Sequence, residues 1–408
     1  MKKSVGCVAP LGTRSAAKLQ APAALSPLLA ANNPVDWWFA FKFNAATFSG
    51  NEGLEPNPGI FGGTPINYGG GFCLTYAFAS STNPSFVLGP GYLGTSLNDP
   101  LGATFSQVYN GTCSYVLWND QFNGDPMPNM DTPWGHSKGL LAWDSSGAGF
   151  VLQVSTPSWP ASGSAKYPRK SDGNTLGCVR DDDVMVSQHF FALKLNAADV
   201  AIVLAGLANA SVVTQAGSAQ IFNAGGPANL VALAKKLGVP SNGTVATKQT
   251  LSSGVLFLSK PSLLHVPPWQ LVSAQLGGLP LRVASWWADP TIPSTSAASS
   301  ITCWNPALGK PGPVQIAISG KWQSETIGLT GGEGGAFNHA KVGVSLLPAQ
   351  PLCIFGDMNQ QGTINGAGNP DGCASSQNGR GGTFYILNEP TLFTGLTSLL
   401  QGSSAPVQ

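Results

Sequence analysis

Charge of either sign is scarce in this chain: 20 Lys and Arg stand against 19 Asp and Glu, and the formal net charge is +1. A disordered polyelectrolyte is excluded, because 43% hydrophobic residues against 10% charged ones drive collapse into a core. A uniformly basic surface is excluded too, so any contact with nucleic acid must rest on local charge. The chain lacks an apolar run of the ~18 residues that a membrane span needs, and no transmembrane helix is expected. Seven cysteines include no Cys-x-x-Cys pair, and none stands with a histidine at zinc spacing; no structural metal and no cofactor is expected. Histidine is scarcer still, with four in 408 residues.

Two of those four share a pattern. Gly135-His136-Ser137-Lys138-Gly139 and Asn338-His339-Ala340-Lys341-Val342 each place a lysine two positions after a histidine. With 15 lysines in the chain, two such pairs among four histidines arise by chance about one time in a hundred, so the repetition outweighs either pair alone. On extended backbone, residues i and i+2 face the same side, which sets an imidazole beside an ammonium. A phosphate diester calls for that combination. The imidazole attacks phosphorus or passes a proton to the leaving oxygen, while the ammonium neutralises a phosphoryl oxygen as charge builds.

The flanks repeat as well. After His136 come Gly139-Leu140-Leu141-Ala142-Trp143, the polar Asp144-Ser145-Ser146-Gly147, and Phe150-Val151-Leu152. After His339 come Val342 to Leu347, Pro348-Ala349-Gln350-Pro351, and Leu352-Cys353-Ile354-Phe355. Both predict strand, turn, strand. Asp357 and Asn359 then fall at the end of the second strand after His339, placed to orient an imidazole or hold a phosphate oxygen. Ser155 and Thr156 fall at the matching place in the first half, able to donate a hydrogen bond but not to act as a carboxylate.

These residues resemble the deoxyribonuclease II family of acid deoxyribonucleases, within the phospholipase D-like phosphodiesterases. The resemblance rests on Pro34-Val35-Asp36-Trp37-Trp38, on Leu117-Trp118-Asn119-Asp120-Gln121, and on Gly135 through Leu140 with its continuation Ser155 to Pro160. Near the C-terminus it rests on His339-Ala340-Lys341, Gly356-Asp357-Met358-Asn359 and Arg380-Gly381-Gly382-Thr383. No landmark falls between about 185 and 300. Two departures stand out. A further histidine that animal members carry on the strand after the first pair is Val154 here. The aspartate that phospholipase D enzymes place five residues after the lysine is Trp143 in one half and Leu346 in the other, and the nearby Asp144 reads as a turn residue.

The resemblance implies an α/β fold of two phospholipase D-like lobes, with mixed sheets flanked by helices and a pseudo-two-fold that brings the pairs together. It places a tail or poor secretion signal at 1–33, the N-terminal lobe at 34–215 and the C-terminal lobe at 216–408. It implies a metal-independent acid endonuclease that cuts double-stranded DNA through a phosphohistidine and leaves 3′-phosphate and 5′-hydroxyl ends. His136, Lys138, His339 and Lys341 would be catalytic and Asp357, Asn359 and Ser155 supporting, in a secreted or periplasmic monomer with pseudo-dimeric lobes or a homodimer. The alternatives are another phosphodiesterase of the superfamily, acting on a phospholipid or other diester, and a non-catalytic secreted binding protein.

The remaining expectations are structural. Helices are predicted at Ala197 to Asn209, at Ala228 to Leu237 and at Pro390 to Leu400, the last with proline at its first turn. Alternation over Asp36 to Phe43 predicts a strand with one buried face. Cys353 and Cys373 either bridge or remain buried thiols, while Cys178 and Cys303 lie near family cysteines. Lys166, Arg169 and Lys170 are candidates for phosphate contact but read more readily as a solvated loop. Asp181, Asp182 and Asp183 suggest a metal cluster but, pointing in different directions and lying near neither histidine pair, read more readily as a solvated turn. The triplets at Asn110, Asn209 and Asn242 fit the glycosylation pattern, which is common by chance.

Overall fold

The computed structural model describes residues 24–48, 73–94, 96–110, 113–121, 131–157, 185–217 and 221–408. Residues 1–23, the 166–170 basic cluster, Cys178 and the triple aspartate lie outside them. Residues 24–33 are not a free tail, because Leu28 bridges Pro34 and the Ala31 amide donates to the Leu97 carbonyl at 2.8 Å.

The first sheet is built from β1 (Trp37–Lys42), β2 (Tyr76–Ser80), β3 (Asn83–Leu88), β4 (Ser114–Asn119), β5 (Lys138–Trp143), β6 (Gly149–Val154), β7 (Gln188–Leu195) and β8 (Phe222–Asn223). The second uses β9 (Thr247–Thr250), β10 (Leu256–Lys260), β11 (Leu281–Ala284) and β12 (Val314–Ile316). After a separate hairpin of β13 (Ser319–Trp322) and β14 (Glu325–Gly328), it is completed by β15 (Val342–Ser345), β16 (Leu352–Gly356) and β17 (Gly382–Asn388). Five α-helices occur among the described residues: α1 (Pro100–Asn110), α2 (Ala197–Asn209), α3 (Ala228–Ala234), α4 (Pro268–Gln275) and α5 (Pro390–Leu399).

The orders β2-β1-β7-β6-β5-β4 and β9-β10-β17-β16-β15-β11 show the duplication, and one parallel pair, β11 with β12, makes the second sheet mixed. This is the expected α/β class, but the boundary expected at 215/216 falls too early, because β8 (Phe222–Asn223) pairs with β4 and so completes the first sheet. Each histidine pair leads into the equivalent central strand, β5 or β15, followed by the predicted turn and strand. Asp144 does cap the first turn, accepting from the Ser146 amide at 2.8 Å.

The largest apolar cluster runs between the sheets, and a second packs around Trp269, Val283 and Phe384 of the second lobe. Phe355 of β16 stacks on Phe39 of β1 and on Phe191 of β7, with both centroid separations 4.5 Å. Stacked aromatics at this distance contribute about 0.5–1.5 kcal/mol each beyond their burial. Helix α2 lies in the seam, and its Gly206 carbonyl accepts from Ser259 of the second lobe at 2.7 Å. Strand β1 therefore departs from the one-sided expectation. All six of its residues are buried, because β2 and β7 flank it, the second lobe covers one face, and Trp38 donates to Thr104 of α1 at 3.0 Å.

Helices α2, α3 and α5 fall where the sequence places them, although α3 stops at Ala234, short of Leu237. Helices α1 and α4 were not expected. A disulfide joins Cys303 to Cys373, so Cys373 is not bridged to Cys353, and Cys353 is a buried thiol facing the Glu389 carbonyl. Strand pairing fixes Cys353 inside β16 opposite Leu387, turned into the core and away from the loop that carries Cys373.

Candidate active site

Neither histidine lies within a strand. His136 and Lys138 occupy the extended approach to β5 and its first residue, and His339 and Lys341 the approach to β15. Each approach is held by the other lobe. The His136 amide donates to the Gly381 carbonyl, and the His339 amide to the Ser187 carbonyl, both at 2.8 Å. Gly381 and Ser187 are the residues just before β17 and β7, so the two contacts are equivalent under the duplication.

Close approach explains two glycines. A Cβ on Gly135 would lie 2.3 Å from the Ala210 carbonyl oxygen and one on Gly381 2.2 Å from the same atom. Both segments therefore pass over the end of α2 at backbone contact, which a side chain would prevent. The Gly135 amide adds a bond to the Ser211 carbonyl at 2.9 Å.

The His136 ring is fixed across the seam, its Nδ1 lying 2.6 Å from the Asp357 backbone carbonyl. A carbonyl only accepts, so Nδ1 carries the proton and Nε2 presents its lone pair. Asp357 thus meets the imidazole through its backbone carbonyl and not through its carboxylate. Its carboxylate is occupied: Oδ2 accepts from Ser137 Oγ at 2.7 Å, the Thr383 amide at 2.9 Å and Thr383 Oγ1 at 2.6 Å, while Oδ1 accepts from Gln153 at 3.2 Å. Burial raises this carboxyl to about 6, against the pull of the Thr383 and Ser137 hydrogen bonds.

Lys138 does not stand free beside His136. Its Nζ lies 2.6 Å from Asp120 Oδ1, and the other oxygen of Asp120 takes Arg380 at 2.6 Å. Arg380 also donates to the Trp134 carbonyl at 3.0 Å and the Gly135 carbonyl at 3.0 Å. Burial opposes ionisation of Asp120, but Lys138 and then Arg380 outweigh it and hold the carboxyl well below its usual range.

Lys341 is held differently. Its Nζ donates to the His339 carbonyl at 2.6 Å, and its amide donates to His189 Nδ1 at 3.0 Å. That bond makes Nδ1 of His189 an acceptor and puts the ring proton on Nε2, a buried atom with no hydrogen-bond partner among the described residues. The His339 ring packs edge-on against Trp286 at a centroid distance of 4.2 Å. Burial, then Lys138, depresses the pKa of His136; burial, then Lys341, depresses that of His339. Lys341 also acts on His136 and Lys138 on His339, so the four side chains lie in one electrostatic field.

Two supporting candidates stand farther off. Ser155 Oγ donates to Gln188 Oε1 and accepts from the His189 amide at 2.8 Å, touching neither pair. It does occupy the place equivalent to Asp357, because the His189 amide bonds to Ser155 as the Thr383 amide bonds to Asp357. Asn359 turns toward Gln361, 2.9 Å away, and has no described bond to a histidine.

Sequence reasoning missed Asp120, Arg380, Trp286 and His189. Asp120 and Arg380 stood inside motifs that carried the family resemblance but were given no role; Trp286 and His189 had no motif.

Two lobes, each bringing a His-x-Lys pair to one seam, define the phospholipase D-like class. The deoxyribonuclease II family model matches residues 67–381, and the chain belongs to that family. It is 38% identical over 150 residues to cell-death-related nuclease 7 of Caenorhabditis elegans, a stretch covering 36% of this chain and 34% of that protein. It is 31% identical over 173 residues to deoxyribonuclease-2-alpha of Mus musculus, covering 40% and 43% of the two chains. The chain thus spans less than half the length of these relatives.

Proposed function

We propose that the protein is an acid endonuclease that hydrolyses DNA phosphodiester bonds without a metal ion, at one site made by both lobes. The observation that carries this reading is the reciprocal bracing of His136 and His339, each held by the opposite lobe in a field of Lys138 and Lys341. One imidazole attacks phosphorus through Nε2 and forms a P–N bond as the P–O5′ bond breaks. The other gives its proton to the departing O5′. That second imidazole then takes a proton from water, which attacks phosphorus, breaks the P–N bond and leaves a 3′-phosphate beside a 5′-hydroxyl.

Lys138 and Lys341 neutralise the non-bridging oxygens, with Lys138 exchanging Asp120 for phosphate in part. The acid requirement follows from the histidines. Burial and the lysines keep both rings neutral, whereas the reaction needs one protonated donor; low pH and the negative phosphate supply that proton. DNA is favoured by the relatives named as deoxyribonucleases.

The test is cleavage of plasmid DNA between pH 4 and pH 8 with excess chelator, followed by end-group mapping. The expected result is a rate maximum below pH 7, unaffected by chelator, with 3′-phosphate ends. A maximum near pH 8 that chelator abolishes would overturn the scheme, and hydrolysis of a phospholipid diester with DNA left intact would reassign the substrate.

A further inference from the structure

Two lysines that the proposed chemistry does not use are buried at equivalent places. Lys42 is the last residue of β1 and Lys260 the last of β10, and both are 0% exposed. Lys42 pairs in register with Gln188, the first residue of β7; Lys260 pairs with Gly382, the first of β17. Long cations are rarely buried whole, because an ammonium is costly to take out of water. An apolar residue would serve the core better at either place.

The acceptors show what each ammonium does. Lys42 Nζ donates to the Val186 carbonyl at 2.6 Å and the Cys73 carbonyl at 3.1 Å. Lys260 Nζ donates to the carbonyls of Arg380 and Asn378, both at 2.8 Å. Val186 precedes Ser187, and Arg380 precedes Gly381. Those next residues are the ones whose carbonyls take the amides of His339 and His136, at 2.8 Å each. The wiring crosses the seam: Lys42 of the first lobe reaches His339 of the second, and Lys260 of the second reaches His136 of the first.

We propose that Lys42 and Lys260 are paired positioning residues, each fixing the strap whose carbonyl holds the active-site histidine of the opposite lobe. The inference rests on His136 and His339 doing the chemistry. An ammonium suits the task because its three donors diverge from one point and draw neighbouring carbonyls of a non-helical segment into one geometry. A neutral donor offers fewer bonds and a weaker hold. The burial that makes each lysine costly also shields its bonds from competing water.

The test uses the full chain labelled with ¹⁵N-histidine, whose four histidines give four amide signals, and the variants Lys42→Met and Lys260→Met. Lys260→Met is expected to speed hydrogen exchange of the His136 amide at least about tenfold and leave His339 within about twofold; Lys42→Met is expected to do the reverse. On DNA, each variant is expected to lose about tenfold or more in kcat with KM changed less than about threefold, because the phosphate-binding lysines remain. Equal loosening of both amides in each variant, or loosening on the lysine's own side only, would overturn the crossed wiring. The crossed exchange pattern with unchanged kcat would overturn the positioning role while leaving the nuclease reading intact. Wild-type protein without activity would instead remove the nuclease reading, and the exchange pattern would still decide the wiring. If a methionine variant does not fold, Lys→Gln, which keeps two N–H donors, carries the same comparison.

Discussion

Around His136 and His339 the backbone is nearly the same, and the described holds on the two lysines are not. Each histidine amide meets a carbonyl of the opposite lobe, and just after the second strand that follows it stands an acceptor for the neighbouring strand, Ser155 in one half and Asp357 in the other. In the first half the lysine is held by the Asp120 carboxylate, which also holds Arg380; in the second Lys341 donates to the dipole of the His339 carbonyl. Duplication therefore preserved the frame on which the imidazoles are hung, while the means of holding each lysine diverged. An entering phosphate must compete with the Asp120 carboxylate for Lys138 and with the His339 carbonyl for Lys341.

The comparison breaks most sharply at the histidines. His136→Ala and His339→Ala are each expected to lower the rate at least about a thousandfold, about 4 kcal/mol of barrier. The double variant should be little worse than either single, since residues acting as one unit are not additive. Single-turnover cleavage of plasmid DNA measures this. If either single variant kept a tenth of the wild-type rate, the two halves would not form one site.

Asp120 tests the charge difference. Asp120→Asn leaves two buried cations facing a neutral amide, and removing one member of a buried ion group costs about 3–5 kcal/mol. The loss should appear as a lower urea midpoint with an unchanged slope. An equally stable variant would mean that the charge of Lys138 is balanced elsewhere. No equivalent substitution exists at the described Lys341 contacts, because the acceptor there is backbone.

The histidine pairs and the strand, turn, strand units after them were legible because short-range order carries them: a two-residue spacing, an apolar run, a polar break. The helices seen only in the structure both open on a proline, Pro100 in α1 and Pro268 in α4, a residue that reads as an interruption when the packing is unknown. Asp99 marks the first of them by accepting from the Gly102 amide at 2.9 Å, but the local pattern gave that no weight. The partners of the site were the least legible. Asp120 meets Arg380 across 260 positions and Lys341 meets His189 across 152, distances over which no spacing rule operates. The burial of both faces of β1 was hidden likewise, since the covering lobe is assembled from residues far along the chain.

Asp357 sharpens the comparison through pH. Its carboxyl stands at about 6 in the folded protein against an ordinary 3.8, so folding favours the protonated form. The stability this group contributes is present below about 3.8 and is lost as pH rises through about 6. His136, His189 and His339 act in the opposite sense: their depressed values contribute stability above about 6.5 that is lost as pH falls. Asp357→Asn removes the first slope and leaves the second. With midpoints matched at pH 7, the variant should therefore lose thermal stability more steeply than wild type between pH 6 and pH 4. Fold should be retained, because the buried Gln153 Oε1, without a partner among the described residues, can take an amide proton after rotation of its side chain. Parallel curves would show that Asp357 titrates near its ordinary value.

The smallest effect belongs to the equivalent residue of the first half. Ser155→Ala removes the acceptor of the His189 amide and the donor to Gln188, both buried, so about 1–2 kcal/mol of stability should be lost. Activity should fall less than about threefold, because Ser155 touches neither histidine pair among the described contacts and is linked to Lys341 through His189. Unfolding in urea gives the first quantity and kcat on plasmid DNA the second. A tenfold loss of kcat with stability unchanged would show that the Ser155–His189–Lys341 chain transmits position to the site, and that the two halves are more alike in function than their charges suggest.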